Sequence, residues 1–169
     1  IVNGIDVDVY NPETDKLIYK NFSVEDISGK AVNKASLQKE LGLPQNPDTP
    51  LIGIVTRLVK HKGIDLVKCV FEEIVNEDVQ FAVLGSGEWE FETFFYEMSK
   101  KYPEKVGLKL GFNPTLAHRI YAGADMFLMP SQSEPCGLAQ MVALRYGTIP
   151  IVRETGGLND TIKDSHDGS

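Results

Sequence analysis

The apolar residues of this chain change rhythm along its length. Residues 51–56 (LIGIVT) form a short, continuous, β-branched run, and behind it Val67, Val70, Phe71 and Ile74 recur at i, i+3, i+4 and i+7. The first pattern predicts a buried strand and the second an amphipathic helix. The alternation then repeats. Strands are predicted over 79–84 (VQFAVL), 106–110, 125–129 and 148–152. Between them fall a helix with Phe91, Phe94, Phe95 and Met98 on one face, a helix opened by Asn113-Pro114, and a helix over 138–146. Proline suits a helix start because its missing N–H would be unpaired there anyway. A last helix is predicted after Gly156-Gly157. Strands this uniformly apolar, separated by helices, predict a parallel sheet covered on both faces. The fold class is therefore α/β, a Rossmann-like doubly wound sheet.

Residues 1–50 read differently. NGIDVDVYNPETD is rich in Asn, Asp, Gly and Pro, and predicts an extended opening loop broken by turns. A helix follows over 30–41, stopped by Gly42 with Pro44 close behind. The expected organisation is thus a segment over 1–50, opening loop and leading helix, ahead of a Rossmann-like domain over 51–169.

Composition narrows the function classes. With 169 residues, 42% hydrophobic and 24% charged, the chain suits one globular domain with a core. It has no run of about 18 apolar residues, so no membrane span is expected. It starts at Ile1 without a leader pattern and stops in polar sequence at Ser169, which reads as a piece of a longer cytoplasmic protein, truncated at its carboxyl end. A net charge of −7 argues against general binding to nucleic acid or anionic membranes, so a phosphate ligand would need a local basic patch. Cys69 and Cys136 form no C-x-x-C, and the three histidines have no metal-ligand spacing. No metal site is expected.

In doubly wound sheets ligands bind beyond the carboxyl ends of the strands. Here those loops carry Arg57 and Lys62, Gly85-Ser86-Gly87, Gly111-Phe112-Asn113, the stretch SQSEPCGL over 131–138, and Arg153 through Gly157. Arg57 can grip two phosphate oxygens at once and Lys62 can add a point charge, so both are candidates for a diphosphate; the plain alternative is two surface charges. Gly85-Ser86-Gly87 lacks the third glycine of a dinucleotide fingerprint, since position 90 is glutamate, which disfavours a dehydrogenase. A tight turn without ligand explains it equally well. Phe112 can stack on a base or cap the core. Gly137, Leu138 and Ala139 open a helix, where free N–H groups favour phosphate. Glu134 stands just ahead of that anion site. Phosphate would repel it, so it suits a sugar's hydroxyls, unless it is simply an acid helped by the helix dipole, an effect of about 0.3–1 kcal/mol. Cys136 has no base partner in the sequence and reads as a structural thiol.

Taken together, NGIDVDVYNPETD, TRLVKHKGIDL, LGSG and PSQSEPCGLAQMVALRYGTIPIVRETGGLNDTI resemble the carboxyl-terminal half of a bacterial or plant glycogen/starch synthase, over essentially the whole chain. The resemblance implies one half of a GT-B fold, two Rossmann-like domains facing across a cleft, with 1–50 as interdomain segment and 51–169 binding the nucleotide-sugar donor. It implies a retaining hexosyltransferase that moves glucose from ADP-glucose to the non-reducing end of an α-1,4-glucan. It implies no cofactor beyond the substrate ADP-glucose and the product ADP. The acceptor would be held by an amino-terminal domain outside this chain, so the chain alone is expected to transfer no glucose.

Position by position, Arg57 and Lys62 match the family's pair on the donor diphosphate, and Glu134 its acid near the donor glucose. Gly85 lies in the shared G-S-G loop, Gly137 and Leu138 match backbone near phosphate and sugar, Phe112 a ring against the adenine, and Thr155, Gly156 and Gly157 a further donor loop. Two positions depart. Ala139 stands where relatives have threonine, which implies a weaker phosphate grip. Val142 replaces the second acid of the E-x7-E transferases, which favours the glycogen-synthase branch. Another GT-B transferase or phosphorylase, or a non-catalytic nucleotide- or glucan-binding module, is the alternative.

Overall fold

The computed structural model describes residues 3–163. Strands β1 (Leu51–Val55), β2 (Gln80–Gly85), β3 (Val106–Leu110), β4 (Met126–Met129) and β5 (Ile149–Val152) form one sheet in the order β3-β2-β1-β4-β5. Every neighbouring pair is parallel. The chain runs outward from β1 to β3, then crosses back and runs the other way through β4 and β5. The reversal places the topological switch point between β1 and β4.

Helices α1 (Ser28–Glu40), α2 (Ile64–Asn76), α3 (Trp89–Lys101), α4 (Pro114–Gly123), α5 (Ala139–Arg145) and α6 (Gly156–Thr161) cover the sheet. Side chains alternate between faces along a strand. Accordingly Phe81 and Val83 of β2 pack with Val67 and Phe71 of α2 and Phe95 of α3, while Ala82 and Leu84 pack with Leu37 of α1 and Leu116 and Ile120 of α4. A further cluster joins Tyr121, Phe127, Val142, Tyr146 and Leu158. The doubly wound α/β sheet is the one the apolar rhythm predicts.

Three details differ from the sequence reading. The buried stripe of α2 is Ile64, Val67, Phe71 and Val75, and Val70 faces solvent. β5 is not covered on both faces: it is an edge strand, and Ile149 and Ile151 are exposed. A single 3-10 turn at Lys60–Lys62, with Gly63 as its left-handed cap, precedes α2. Other boundaries shift by a residue or two. The last six residues of the 51–169 segment lie outside the described residues.

The opening segment is packed into this domain. Ile18 and Phe22 join the Tyr146 cluster, and Leu37 and Leu43 join the cluster of β2 and α4. Polar contacts fix it further. The buried Asp15 accepts from Tyr146 Oη at 2.5 Å, lies 2.7 Å from His118 Nδ1, and accepts from the Leu17 N–H. Burial pushes its pKa up, but the hydrogen bonds from Tyr146, His118 and Leu17 outweigh that and hold the carboxyl below its ordinary value. Lys30 donates to the carbonyls of Ala122, Ala124 and Tyr146 and to Thr148 Oγ1, at 2.8–3.2 Å. It thereby ties α1 to the carboxyl ends of α4 and α5. Four residues on, Lys34 pairs with Asp125 at 2.7 Å. Among the described residues no helix is long and apolar enough to cross a membrane.

Candidate functional site

The loops after β1 and β2 are laced together. Leu58 N–H donates to the Ser86 carbonyl at 2.9 Å, Glu88 N–H donates to the Leu58 carbonyl at 2.8 Å, and Leu58 pairs with Gly87 as an isolated parallel bridge. Glycine is needed here by space. A Cβ on Gly85 would lie 2.0 Å from the Thr56 carbonyl oxygen, and one on Gly87 would lie 2.2 Å from that of Leu58. The G-S-G element is therefore a close backbone approach, whichever ligand it faces. Beside it opens a cavity of about 260 Å³ lined by Thr56, Arg57, Gly85, Ser86, Phe112 and Asn113 among others. Phe112 is 93% exposed, which removes the core-capping reading and leaves its ring free at the cavity mouth.

Arg57 and Lys62 diverge in their contacts. Arg57 Nη2 lies 3.3 Å from His61 Nε2. Lys62 Nζ instead reaches across to the loop after β4 and meets Glu134 Oε2 at 2.5 Å. Both side chains of that pair are largely buried, and Ser131, itself buried, offers its hydroxyl to the same oxygen at 3.4 Å. The two loops are held in register by backbone and by a second polar contact. Gln132 N–H donates to the His61 carbonyl at 3.0 Å, and its side-chain amide donates to both Asp65 carboxylate oxygens at 3.0 Å. A Cβ on Gly63 would come within 2.1 Å of the Pro130 oxygen, so only glycine allows this approach. Lys62 and Glu134 thus stand on the two loops that flank the switch point.

The loop after β5 locks onto the other side of the Glu134 loop. Gly157 N–H donates to the Glu134 carbonyl at 2.9 Å. A Cβ at Gly156 would lie 2.4 Å from that same oxygen, and one at Gly157 would lie 2.2 Å from the Cys136 oxygen. Gly137 takes a φ of +70° and packs against Gln140 and Glu134. Gln140 is buried; its amide nitrogen donates to the carbonyls of Cys136 and Gly137 and to Thr161 Oγ1, while its Oε1 has no partner among the described residues.

Of the predicted residues, the structure joins Lys62 with Glu134, and packs Glu134, Gly137, Gly156 and Gly157 as one unit. Gly85, Arg57 and Phe112 line the adjoining cavity. Leu138 is half exposed beside the α5 start, and Ala139 is the first residue of that seven-residue helix. Thr155 caps α6 through its backbone carbonyl, which accepts from Leu158 N–H at 3.1 Å. Val142 is buried in the Tyr146 cluster, so an acid there would face the core. Ser131, His61 and Gln140 were not singled out from sequence; their nearness in sequence to Glu134 and Arg57 was the available signal. Cys69 and Cys136 are free thiols, and among the described residues no three His, Cys, Asp or Glu side chains cluster as a metal would require.

Residues 36–169 match the family described as "Glycosyl transferases group 1". The chain is 58% identical to the glycogen synthase of Anoxybacillus flavithermus over 163 residues, and 60% identical to that of Bacillus cereus over 162. In each case the match covers 96% of this chain and 34% of the relative, so the chain spans about a third of those proteins. Among solved structures it superimposes on the catalytic domain of starch synthase IV from Arabidopsis thaliana, bound to ADP and acarbose, with a TM-score of 0.94 and 42% identity over 100% of this chain and 35% of that one. The carboxyl-terminal domain of a group 1 glycosyl transferase from Francisella tularensis shares the fold at 17% identity and a TM-score of 0.63, covering 95% of this chain and 76% of that one. The paired loops at the switch point, the glycine-spaced rim and these likenesses agree: the chain belongs to the group 1 glycosyltransferases.

Proposed function

We propose that this chain is the donor-binding part of a retaining glucosyltransferase, acting in the cytoplasm, that moves glucose from ADP-glucose to the non-reducing end of an α-1,4-glucan. The observation that carries the reading is the meeting of Lys62 and Glu134 across the sheet's switch point, in a chain whose likeness to an ADP-bound starch synthase spans its full length. The cavity lined by Arg57, Gly85, Ser86 and Phe112 takes the nucleoside, with the exposed ring of Phe112 against the adenine. Arg57 and Lys62 take the diphosphate, and Glu134 accepts hydroxyl hydrogens of the glucosyl group. The backbone of Gly137, Leu138 and Ala139 and the loop of Thr155, Gly156 and Gly157 close the donor site. The acceptor glucan is held mainly by parts of the polypeptide outside this chain.

In the transfer, the bond between the anomeric carbon and the diphosphate oxygen breaks, and negative charge develops on the departing ADP. Arg57 and Lys62 stabilise that charge more than they stabilise the intact donor. The acceptor hydroxyl oxygen attacks the anomeric carbon from the same face, and its proton passes to the departing phosphate oxygen. The products are ADP and a glucan one residue longer, with the anomeric configuration kept. No resident cofactor is called for.

The test is incorporation of labelled glucose from ADP-glucose into glycogen by the complete polypeptide that carries this chain. Glu134→Gln should lower the turnover at least about a hundredfold, the scale of losing one preorganised electrostatic group, while ADP still binds. Turnover unchanged by Glu134→Gln would contradict the assignment.

A further inference from the structure

The sequence holds one tryptophan, Trp89, and it lies 80% exposed at the start of α3, next to the rim loop. Seven residues on, Tyr96 is 52% exposed, and its hydroxyl has no hydrogen-bond partner among the described residues. A seven-residue spacing places both rings on one side of the helix, about 10 Å apart along its axis. Burial cannot be their purpose: the inward face of α3 is already supplied by Phe91, Phe95 and Met98. Two large exposed rings on one helix side, rimmed by polar residues, form the kind of surface that marks an interaction site.

The surroundings narrow that partner. Glu88, Glu90 and Glu97 are exposed around the rings, so an anionic partner such as nucleic acid or an acidic membrane would be repelled. Lys100 lies with its Nζ 5.2 Å from the centre of the Tyr96 ring. The patch therefore combines flat apolar faces with hydrogen-bond donors and acceptors of both signs. A neutral polymer of pyranose rings has the matching chemistry: C–H faces that stack on aromatic rings, and hydroxyls that pair with carboxylates and an ammonium.

We propose that Trp89 and Tyr96 form a surface site for α-1,4-linked gluco-oligosaccharides, separate from the donor site. The proposal rests on the reading of this chain as part of a glucan-extending enzyme. The site is continuous with the rim, because Glu88, the residue before Trp89, accepts through its carboxylate from the Lys60 N–H at 3.3 Å. A glucan held on α3 is thereby kept beside the loop that carries Arg57 and Lys62. Positions about 10 Å apart along the helix axis are too distant for a single sugar to touch both rings, so the ligand is an oligosaccharide and not glucose.

Because Trp89 is the sole tryptophan, its emission reports the site directly in the 169-residue chain. Titration with maltoheptaose should change the emission saturably, whereas glucose at equal concentration should not. Tyr96→Ala should weaken the binding about 3- to 10-fold, the scale of one lost stacking contact. Trp89→Ala should lose retention in a glycogen-containing native gel. Both side chains are exposed, so both variants keep the fold. Calorimetry with ADP on the same samples separates the two readings, since Trp89→Ala should bind ADP as the parent chain does. Emission unmoved by maltoheptaose, or binding undiminished in Tyr96→Ala, would overturn the site even where ADP binds normally.

Discussion

Lys62 Nζ and Glu134 Oε2 lie 2.5 Å apart, joining loops that are 72 residues apart in sequence. The two charges assigned to opposite parts of the donor are paired with each other, and the pair is mostly shielded from water. In the proposed assignment, a diphosphate entering the site competes with Glu134 for the lysine, and whatever Lys62 gives to phosphate leaves Glu134 more available to the sugar. Lys62→Ala should therefore weaken ADP binding by about 10- to 100-fold, as expected for one charge-assisted hydrogen bond. It should also cost about 1–3 kcal/mol of stability by leaving the carboxylate short of a partner. Urea unfolding of Lys62→Ala, Glu134→Ala and the double variant measures the coupling, and strictly additive effects would show that the pair contributes nothing.

The interlocked glycines give a second prediction. At Gly157 an added methyl carbon would lie 2.2 Å from the Cys136 oxygen, and at Gly85 2.0 Å from the Thr56 oxygen. In both cases the obstacle is backbone, which cannot rotate away. Gly157→Ala and Gly85→Ala should each lower stability by about 1–3 kcal/mol through overpacking, read as a lower urea midpoint with unchanged slope. Gly4→Ala, with open space around it, is the control and should leave the midpoint unchanged.

Phe112 gives the opposite signature. Its ring buries almost nothing in the fold. Phe112→Ala should shift stability by less than about 0.5 kcal/mol yet weaken ADP binding about 2- to 10-fold through lost stacking. Thermal unfolding and calorimetry on the same variant separate the two quantities.

Lys30 supplies a pH prediction. Burial lowers its pKa to about 8 from an ordinary 10.5, although Asp125 acts to raise it. Between those values the unfolded chain holds a proton that the folded protein has released, so this residue's contribution makes stability rise with pH across that window. Lys30→Met removes the titration and also takes the lysine donor from the carbonyls of Ala122, Ala124 and Tyr146, of which Ala124 keeps Thr148 Oγ1. The variant should be less stable at pH 7 by about 1–3 kcal/mol. Urea titrations at pH 7.5 to 10.5 should show the parent gaining stability relative to the variant as pH rises. A difference constant across that range would contradict the assignment.

What the sequence made legible follows burial. β1 and β2 are central strands, nearly every residue of which is inside, and their apolar runs stand out. β5, equally apolar, is an exposed edge, and the local sign of that is Pro150 within IPIV, which has no N–H to give to a strand on a second side. Val70 and Val75 both fit helical spacing, and only the packing of α2 decides that Val75 is inside. The glycines were visible, but which backbone each approaches was not, because Gly156 and Gly157 meet residues some twenty positions away. Lys30 reads as a solvated helix residue, since a lysine bound by carbonyls of distant helix ends leaves no local pattern. The candidate residues themselves were found by position after strands, a rule that works because parallel strands all end on one rim.

The central claim is that this chain holds the donor nucleotide through Arg57 and Lys62. Calorimetric titration of the 169-residue chain with ADP tests it most directly, with UDP as comparison and Arg57→Ala as control. The account predicts saturable ADP binding, weaker UDP binding, and loss of at least about tenfold in affinity in Arg57→Ala, the equivalent of roughly 1.4 kcal/mol. ADP binding equal in the parent chain and in Arg57→Ala would contradict it.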